Sequence, residues 1–104
     1  MKKFFLSLLL VGFLQSASAQ DLISSARAND VEQLNTLVKN GANVNEVDAR
    51  GFSPLIIAVY SNSIEAVDFL LKNGADINAK DKSGNTALMG AIFKGYSSLA
   101  LSLI

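Results

Sequence analysis

This 104-residue chain contains an internal repeat with a fixed spacing of 33 residues (73 − 40, and again 81 − 48). The segment 40–45 (Asn-Gly-Ala-Asn-Val-Asn) returns as 73–78 (Asn-Gly-Ala-Asp-Ile-Asn), and 48–51 (Asp-Ala-Arg-Gly) returns as 81–84 (Asp-Lys-Ser-Gly). Apolar and small positions recur at the same spacing, as in Leu22, Leu55 and Leu88, or Leu37, Leu70 and Leu103. A fixed period of this length predicts stacked units that share a continuous core.

Each unit has the chemistry of a turn followed by a helix start. Asp and Gly hold the first and fourth positions of 48–51 and 81–84, which a type I turn favours. Ser53 before Pro54 is typical of an N-cap followed by proline at the first helical position, and Thr86 repeats the cap. The pattern predicts projecting turns, with helices that begin at 54 and 87.

An apolar stripe indicates a second helix in each unit. In the first unit, Asp30 and Gln33 suit a capping box at the start of this helix. The stripe has helical spacing in two places: Val31, Leu34, Leu37 and Val38, and then Ile64, Val67, Leu70 and Leu71.

Residues that tolerate a left-handed backbone mark the helix ends. Gly41 and Gly74 follow the second helices, where glycine lets the chain reverse. Asn29, Asn62 and Gly95 stand between the two helices of a unit, and asparagine is the best non-glycine residue for such a turn. The predicted unit is therefore turn, helix, turn, helix.

These residues resemble the ankyrin repeats, through Asp48-x-x-Gly51-x-Ser53-Pro54-Leu55-x-x-Ala58 and Val67-x-x-Leu70-Leu71-x-x-Gly74-Ala75-Asp76-x-Asn78. The resemblance covers a partial N-terminal repeat (about 21–47), a full repeat (48–80) and a truncated repeat (81–104). It implies an all-α solenoid of stacked helix-turn-helix units with projecting β-turn fingers. It also implies a non-enzymatic scaffold that binds another protein.

The chain departs from the family pattern because it has no histidine. Ile56 and Met89 stand where many repeats have the histidine of Thr-Pro-Leu-His, and we expect both side chains to pack.

The segment 1–19 has the order of a secretory signal peptide: Lys2 and Lys3, an apolar run at 4–14, and small residues at 17–19. A retained membrane anchor is the alternative, but a helix over this short run spans only about half of a ~30 Å hydrocarbon core. A lipoprotein is excluded because the chain has no cysteine. We expect cleavage after Ala19, an ankyrin domain at 20–104, no stable membrane anchor after cleavage, and a periplasmic or secreted location.

Composition excludes several classes of function. Removing Lys2 and Lys3 from nine basic residues leaves seven against nine acidic residues, a balance that does not favour binding to nucleic acid. Without histidine or cysteine, the commonest general base, thiol nucleophile and transition-metal ligands are missing. We expect no cofactor, no metal and no catalytic residue. The weaker alternative is a carboxylate-only enzyme or calcium site at Glu65 and Asp68, which share a helix face.

The resemblance also places candidate protein-binding positions on the fingers and at the ends of the first helices. They are Arg50, Phe52, Tyr60, Lys82, Asn85, Phe93 and Lys94. Aromatic side chains that the scaffold does not need for its own packing are typical interface anchors. The competing interpretation is that these rings only cover the edges of a thin helical layer.

The last residues, Leu99 to Ile104, lack the Gly-Ala turn that closes the other units. The last helix pair would then leave apolar side chains without a following repeat to cover them. We therefore expect self-association through this uncapped end. A self-assembling structural protein is the alternative function.

Overall fold

The computed structural model describes residues 18–104, and within this range the secondary structure consists of six helices and turns. The helices are α1 (Ser18–Arg27), α2 (Val31–Lys39), α3 (Pro54–Tyr60), α4 (Ile64–Lys72), α5 (Ala87–Lys94) and α6 (Ser97–Ser102). The signal-peptide prediction falls mostly on residues 1–17, which lie outside the described residues.

The six helices form three consecutive antiparallel pairs that stack side by side. The first helices of the pairs form an inner row, in which α3 contacts both α1 and α5. The second helices, α2, α4 and α6, form an outer row. An all-α stack of repeated helix pairs is thus confirmed, with α1 starting slightly earlier than the predicted boundary at about 21.

Side-chain caps start α2, α3 and α5 as their sequences predict. The Asp30 Oδ1 accepts a hydrogen bond from the Gln33 amide at 3.1 Å, and the Ser53 Oγ accepts one from the Ile56 amide at 3.2 Å. Thr86 caps α5 in the same way. Each cap satisfies one of the amides that a helix start leaves without a partner.

All five predicted left-handed positions have positive φ. Asn29 and Asn62 have φ of 57° and 54°, and Gly95 has 75°. Gly41 and Gly74 have φ of 95° and 92° after the second helices. The reversals between helices and between units therefore depend on the residues that the sequence singled out.

The core lies between the two rows and between neighbouring pairs. Ala58 and Ala91 are fully buried, which lets the inner helices approach closely. The largest fully buried side chains include Leu22, Leu34, Leu55, Ile56 and Leu70.

Two packing predictions need correction. Ile64, the first residue of the α4 stripe, is half exposed because it lies at the margin of the buried face. Met89 is also half exposed, whereas Ile56 is buried as expected. Ile56 lies in the middle pair and is covered, but no described residue covers the corresponding surface of the last pair.

None of the helices within 18–104 is long and apolar enough to cross a membrane.

Candidate protein-binding surface

Each finger is built around an aspartate that accepts backbone hydrogen bonds. Asp48 Oδ1 accepts from the amides of Arg50 at 2.9 Å and Phe52 at 3.0 Å, and the Gly51 amide donates to the Asp48 carbonyl at 2.9 Å. Asp81 repeats the arrangement in the next finger. The predicted turn roles of both aspartates are confirmed.

Hydrogen bonding stabilises the ionised form of the Asp48 carboxyl. Burial by itself raises the pKa of this carboxyl, but hydrogen bonds from the Phe52 amide and from Arg50 outweigh burial and hold the pKa below its ordinary value. Asp48 is therefore a charged structural centre of its finger.

Arg50 and Phe52 form one layered contact on the first finger. The Arg50 Nη2 lies 3.0 Å from the Asp48 Oδ2, and the guanidinium carbon lies 4.7 Å from the centre of the Phe52 ring. The ion pair and the cation–π contact hold the Arg50 side chain in place while leaving more than half of it exposed. Arg50 can therefore contact a partner with little loss of side-chain freedom.

Lys82 connects the two fingers. Its Nζ donates a hydrogen bond to the Ala49 carbonyl at 2.7 Å. The Lys82 side chain also packs against Gly51, where an added Cβ would lie 2.9 Å from the Lys82 Cγ. Lys82 thus has a structural role in addition to its predicted place on the binding surface.

Tyr60 joins the first finger to the third repeat. Its ring packs edge-on against Phe52, with ring centroids 6.0 Å apart, and lies directly against the backbone of Gly90. Burial raises the pKa of Tyr60, and the charge of Asp81 raises it further. Phe52 and Tyr60 are both partly buried against the core, so these two rings also stabilise the stack.

A concavity of about 530 Å³ opens beside Tyr60. Its lining brings together three of the predicted residues with three that the sequence interpretation did not select: Tyr60, Asn85 and Phe93 with Met89, Gly90 and Ile92. The Phe93 side chain is 90% exposed. Arg50, Lys82 and Lys94 do not line the concavity.

Gly90 is the residue that the sequence could have revealed. It occupies the repeat position of Ile57 in the preceding unit, which is a buried side chain. An isolated glycine inside a helix costs stability relative to alanine and so points to a packing requirement, which here is the contact with the Tyr60 ring.

The two carboxylates of the alternative site, Glu65 and Asp68, each contact another side chain. Glu65 accepts a hydrogen bond from the Asn29 Nδ2 at 3.2 Å, and Asp68 pairs with Lys72 at 2.9 Å. Across residues 18–104, no group of three or more His, Cys, Asp or Glu side chains is placed to hold a metal ion.

Comparison with known protein families identifies the stack. A family model described as ankyrin repeats (three copies) matches residues 22–104, which include all three helix pairs apart from the start of α1. A comparison with curated proteins finds no match to the chain. Ankyrin repeats are generally protein–protein interaction scaffolds, and the family is typically non-enzymatic. The chain belongs to the ankyrin-repeat family.

Proposed function

We propose that this protein is a non-enzymatic scaffold that binds another protein through its fingers and inner helices. The observation that carries the proposal is the almost fully exposed Phe93 ring beside a concavity that Tyr60 and Asn85 also line. Exposing a phenylalanine offers no stability to an isolated domain, whereas aromatic side chains at the edge of a pocket are frequent anchors of interfaces.

The apolar lining of the concavity and the exposed lysines of the third repeat indicate which side chains a partner segment should carry. The walls are mainly apolar, so they suit a large apolar side chain. The third repeat and the residue before it carry exposed Lys80, Lys82 and Lys94, and the only acidic residue of that repeat, Asp81, is buried within the finger. The partner segment should therefore carry acidic residues in addition to its apolar anchor.

Catalysis has little support from the described residues. The acidic side chains of the fingers accept backbone hydrogen bonds, and those of α4 contact Asn29 or Lys72. These contacts give the four side chains structural roles that require no reaction.

We also propose that the chain is exported and that cleavage after Ala19 leaves a mature protein of residues 20–104. The support is the Lys-Lys, apolar-run and Ala-x-Ala order of the segment 1–19. The new N-terminus would lie within the first turn of α1. N-terminal sequencing of the exported protein should begin at Gln20, and a mature protein that retains residues 4–14 would contradict export by cleavage.

The binding proposal is tested by capture of a partner from an extract of the source cells, using wild type, Phe93→Ala and the control Ile64→Ala. Both substitutions remove an exposed apolar side chain, one beside the concavity and one on the outer row. A hot-spot aromatic contributes about 2 kcal/mol or more, so Phe93→Ala should weaken capture at least about tenfold. Equal capture by the three proteins, or absence of any salt-resistant partner, would contradict the proposal.

Self-association is the second candidate function. It is favoured by a group of exposed apolar side chains on the last helix pair, among them Ile92, Leu101 and Ile104. Concentration-dependent assembly of the purified protein without a heterologous partner would support this function.

A further inference from the structure

The same tetrapeptide ends two helices of the outer row. The segment 39–42 (Lys-Asn-Gly-Ala) closes α2, and the identical segment 72–75 closes α4 one repeat later. Asn40 and Asn73 are both exposed and have nearly the same backbone conformation, with ψ of 10° and 19°. The two sites therefore share their local chemistry and can be compared directly.

An asparagine that precedes glycine can lose ammonia in an intramolecular reaction. The glycine nitrogen attacks the side-chain carbonyl carbon of the asparagine, and glycine has no Cβ to obstruct this approach. The amide proton passes through water to the leaving nitrogen, which departs as ammonia, and a succinimide ring remains. A water molecule then opens the ring at either carbonyl, which leaves aspartate or isoaspartate. Water is the only co-reactant.

Side-chain hydrogen bonds hold the turn after α4. The Asn73 Nδ2 donates to the Phe69 carbonyl at 2.8 Å. The Asn45 Nδ2 donates to the Gly74 carbonyl at 3.1 Å, and the Asn45 Oδ1 accepts from the Asp76 amide at 2.7 Å. The carboxamide of Asn73 and the peptide that follows its glycine are therefore both held in place.

The turn after α2 has no such side-chain contacts. Across the described residues, the Asn40 carboxamide makes no hydrogen bond and no side chain donates to the Gly41 carbonyl. Gly12 stands one repeat before Asn45 in the sequence, and it has no side chain that could make the bonds of Asn45. Both turns keep the backbone bonds of a helix end. The end of α2 therefore opens more readily than the end of α4.

We propose that Asn40 is a site of spontaneous deamidation in the folded protein and that Asn45 protects Asn73 from the same reaction. Ring closure brings the glycine nitrogen onto the asparagine side chain, so the ψ angle of the asparagine has to leave the value seen at both sites. Backbone bonds oppose this rotation at Asn40, whereas the side-chain bonds oppose it as well at Asn73. Deamidation leaves a carboxylate at the end of α2, where the helix dipole disfavours negative charge.

Peptide mapping by mass spectrometry measures the proposed reaction. The purified protein, expressed from the full chain, is incubated at mildly alkaline pH, and the conversion of each asparagine is followed over time. The same protein in urea gives the intrinsic ratio of the two rates, because the tetrapeptides are identical. In the folded protein we expect Asn40 to convert at least about fivefold faster than Asn73 after this correction. Equal conversion at the two sites, or an unreactive Asn40 in the folded protein, would overturn the proposal.

The variant Asn45→Ala tests the protection of Asn73. It removes both side-chain bonds to the second turn and keeps the backbone amide that donates to the Asn43 Oδ1. We expect the conversion of Asn73 to rise toward that of Asn40. Asn78→Ala is the matched control, because Asn78 has the same repeat position and its side chain makes no hydrogen bond within residues 18–104; both rates should stay as in wild type.

The ratio of the two rates separates protection from a general loss of stability. A variant that only destabilises the fold raises both rates together, whereas loss of the Asn45 contacts changes the ratio. An unchanged ratio in Asn45→Ala would overturn the protective role of Asn45. Neither measurement requires a partner, so failure of this proposal and failure of the binding proposal are distinguishable.

Discussion

The ring of Tyr60 in the middle repeat lies directly on the backbone of Gly90 in the last repeat. A Cβ on residue 90 would stand 2.7 Å from the Tyr60 Cδ1 and closer still to its Cε1. Gly90 is inside α5, where glycine is less stable than alanine by about 1 kcal/mol. The chain thus carries a weak helix residue at the point where the aromatic ring must fit.

This contact predicts strong coupling between the two residues. In wild type, Gly90→Ala should destabilise the fold or leave it unchanged, because overpacking costs about 1–3 kcal/mol. In a Tyr60→Ala background the same change should stabilise the fold by about 1 kcal/mol, since only helix propensity remains. Urea unfolding of the four proteins gives the coupling free energy, which we expect to be at least about 1 kcal/mol. Additive effects would show that the ring does not need the glycine.

Asn29 caps a helix of the next repeat. Ser63 at the N-cap of α4 provides no side-chain cap, and its Oγ donates instead to the Arg27 carbonyl. The Asn29 Oδ1 accepts a hydrogen bond from the Ala66 amide at 2.9 Å. The preceding repeat therefore supplies the cap.

We expect Asn29→Gly to destabilise the protein by about 1 kcal/mol, because it keeps the left-handed turn and removes both the cap on Ala66 and the exposed hydrogen bond to Glu65. Asn62→Gly is the matched control, since Asn62 has the same backbone conformation and no side-chain hydrogen bond within residues 18–104. Its effect should be a few tenths of a kcal/mol at most. Thermal unfolding compares the two variants, and equal losses would count against capping between repeats.

The left-handed Gly74 provides a third prediction. A Cβ at this position would meet nothing within 4 Å, so a substitution acts through backbone strain alone. Gly74→Val should cost about 1–3 kcal/mol, and Gly74→Asn should cost less because asparagine tolerates positive φ. Asn73→Ala removes only the exposed bond from its Nδ2 to the Phe69 carbonyl and should also cost less. Equal unfolding midpoints for all three variants would contradict a left-handed backbone at Gly74.

The lowered pKa of Asp48 predicts a dependence of stability on pH. The contribution of this carboxylate is fully present above the ordinary aspartate pKa of about 3.9. It is lost as the pH falls through the lower pKa of the folded state. Asp48→Asn keeps an acceptor for the amides of Arg50 and Phe52 but removes the charge. The stability difference between wild type and Asp48→Asn should therefore be largest near neutral pH and shrink below about pH 4. If the stability difference between wild type and Asp48→Asn stayed constant from neutral to strongly acidic pH, the Asp48 charge would not stabilise the fold.

Local chemistry explains why much of the scaffold was predictable from sequence. The caps at Asp30 and Ser53 and the left-handed turns at Asn29 and Gly74 depend on residues within a few positions of one another. The repeat spacing then places the units side by side. The burial of a residue in an apolar stripe also depends on the neighbouring helices. Ile64 belongs to the predicted stripe of α4, yet its side chain is half exposed.

Contacts between units account for what the sequence did not predict. The bond from Lys82 to the Ala49 carbonyl and the fit of Tyr60 on Gly90 join different repeats, and no local pattern encodes their distances. Met89 has the same repeat position as buried Ile56, yet it is half exposed. Among the lining residues of the concavity, Tyr60, Asn85 and Phe93 were sequence candidates, whereas Met89, Gly90 and Ile92 were not.

Binding through the fingers and inner helices is tested most directly by hydrogen exchange of the protein in complex with the partner recovered by capture. We expect slower exchange of amides in the two fingers, 48–52 and 81–85, and in α5, with α2 and α4 unchanged. Slower exchange confined to α2 and α4, with both fingers unaffected, would contradict binding through the fingers and inner helices.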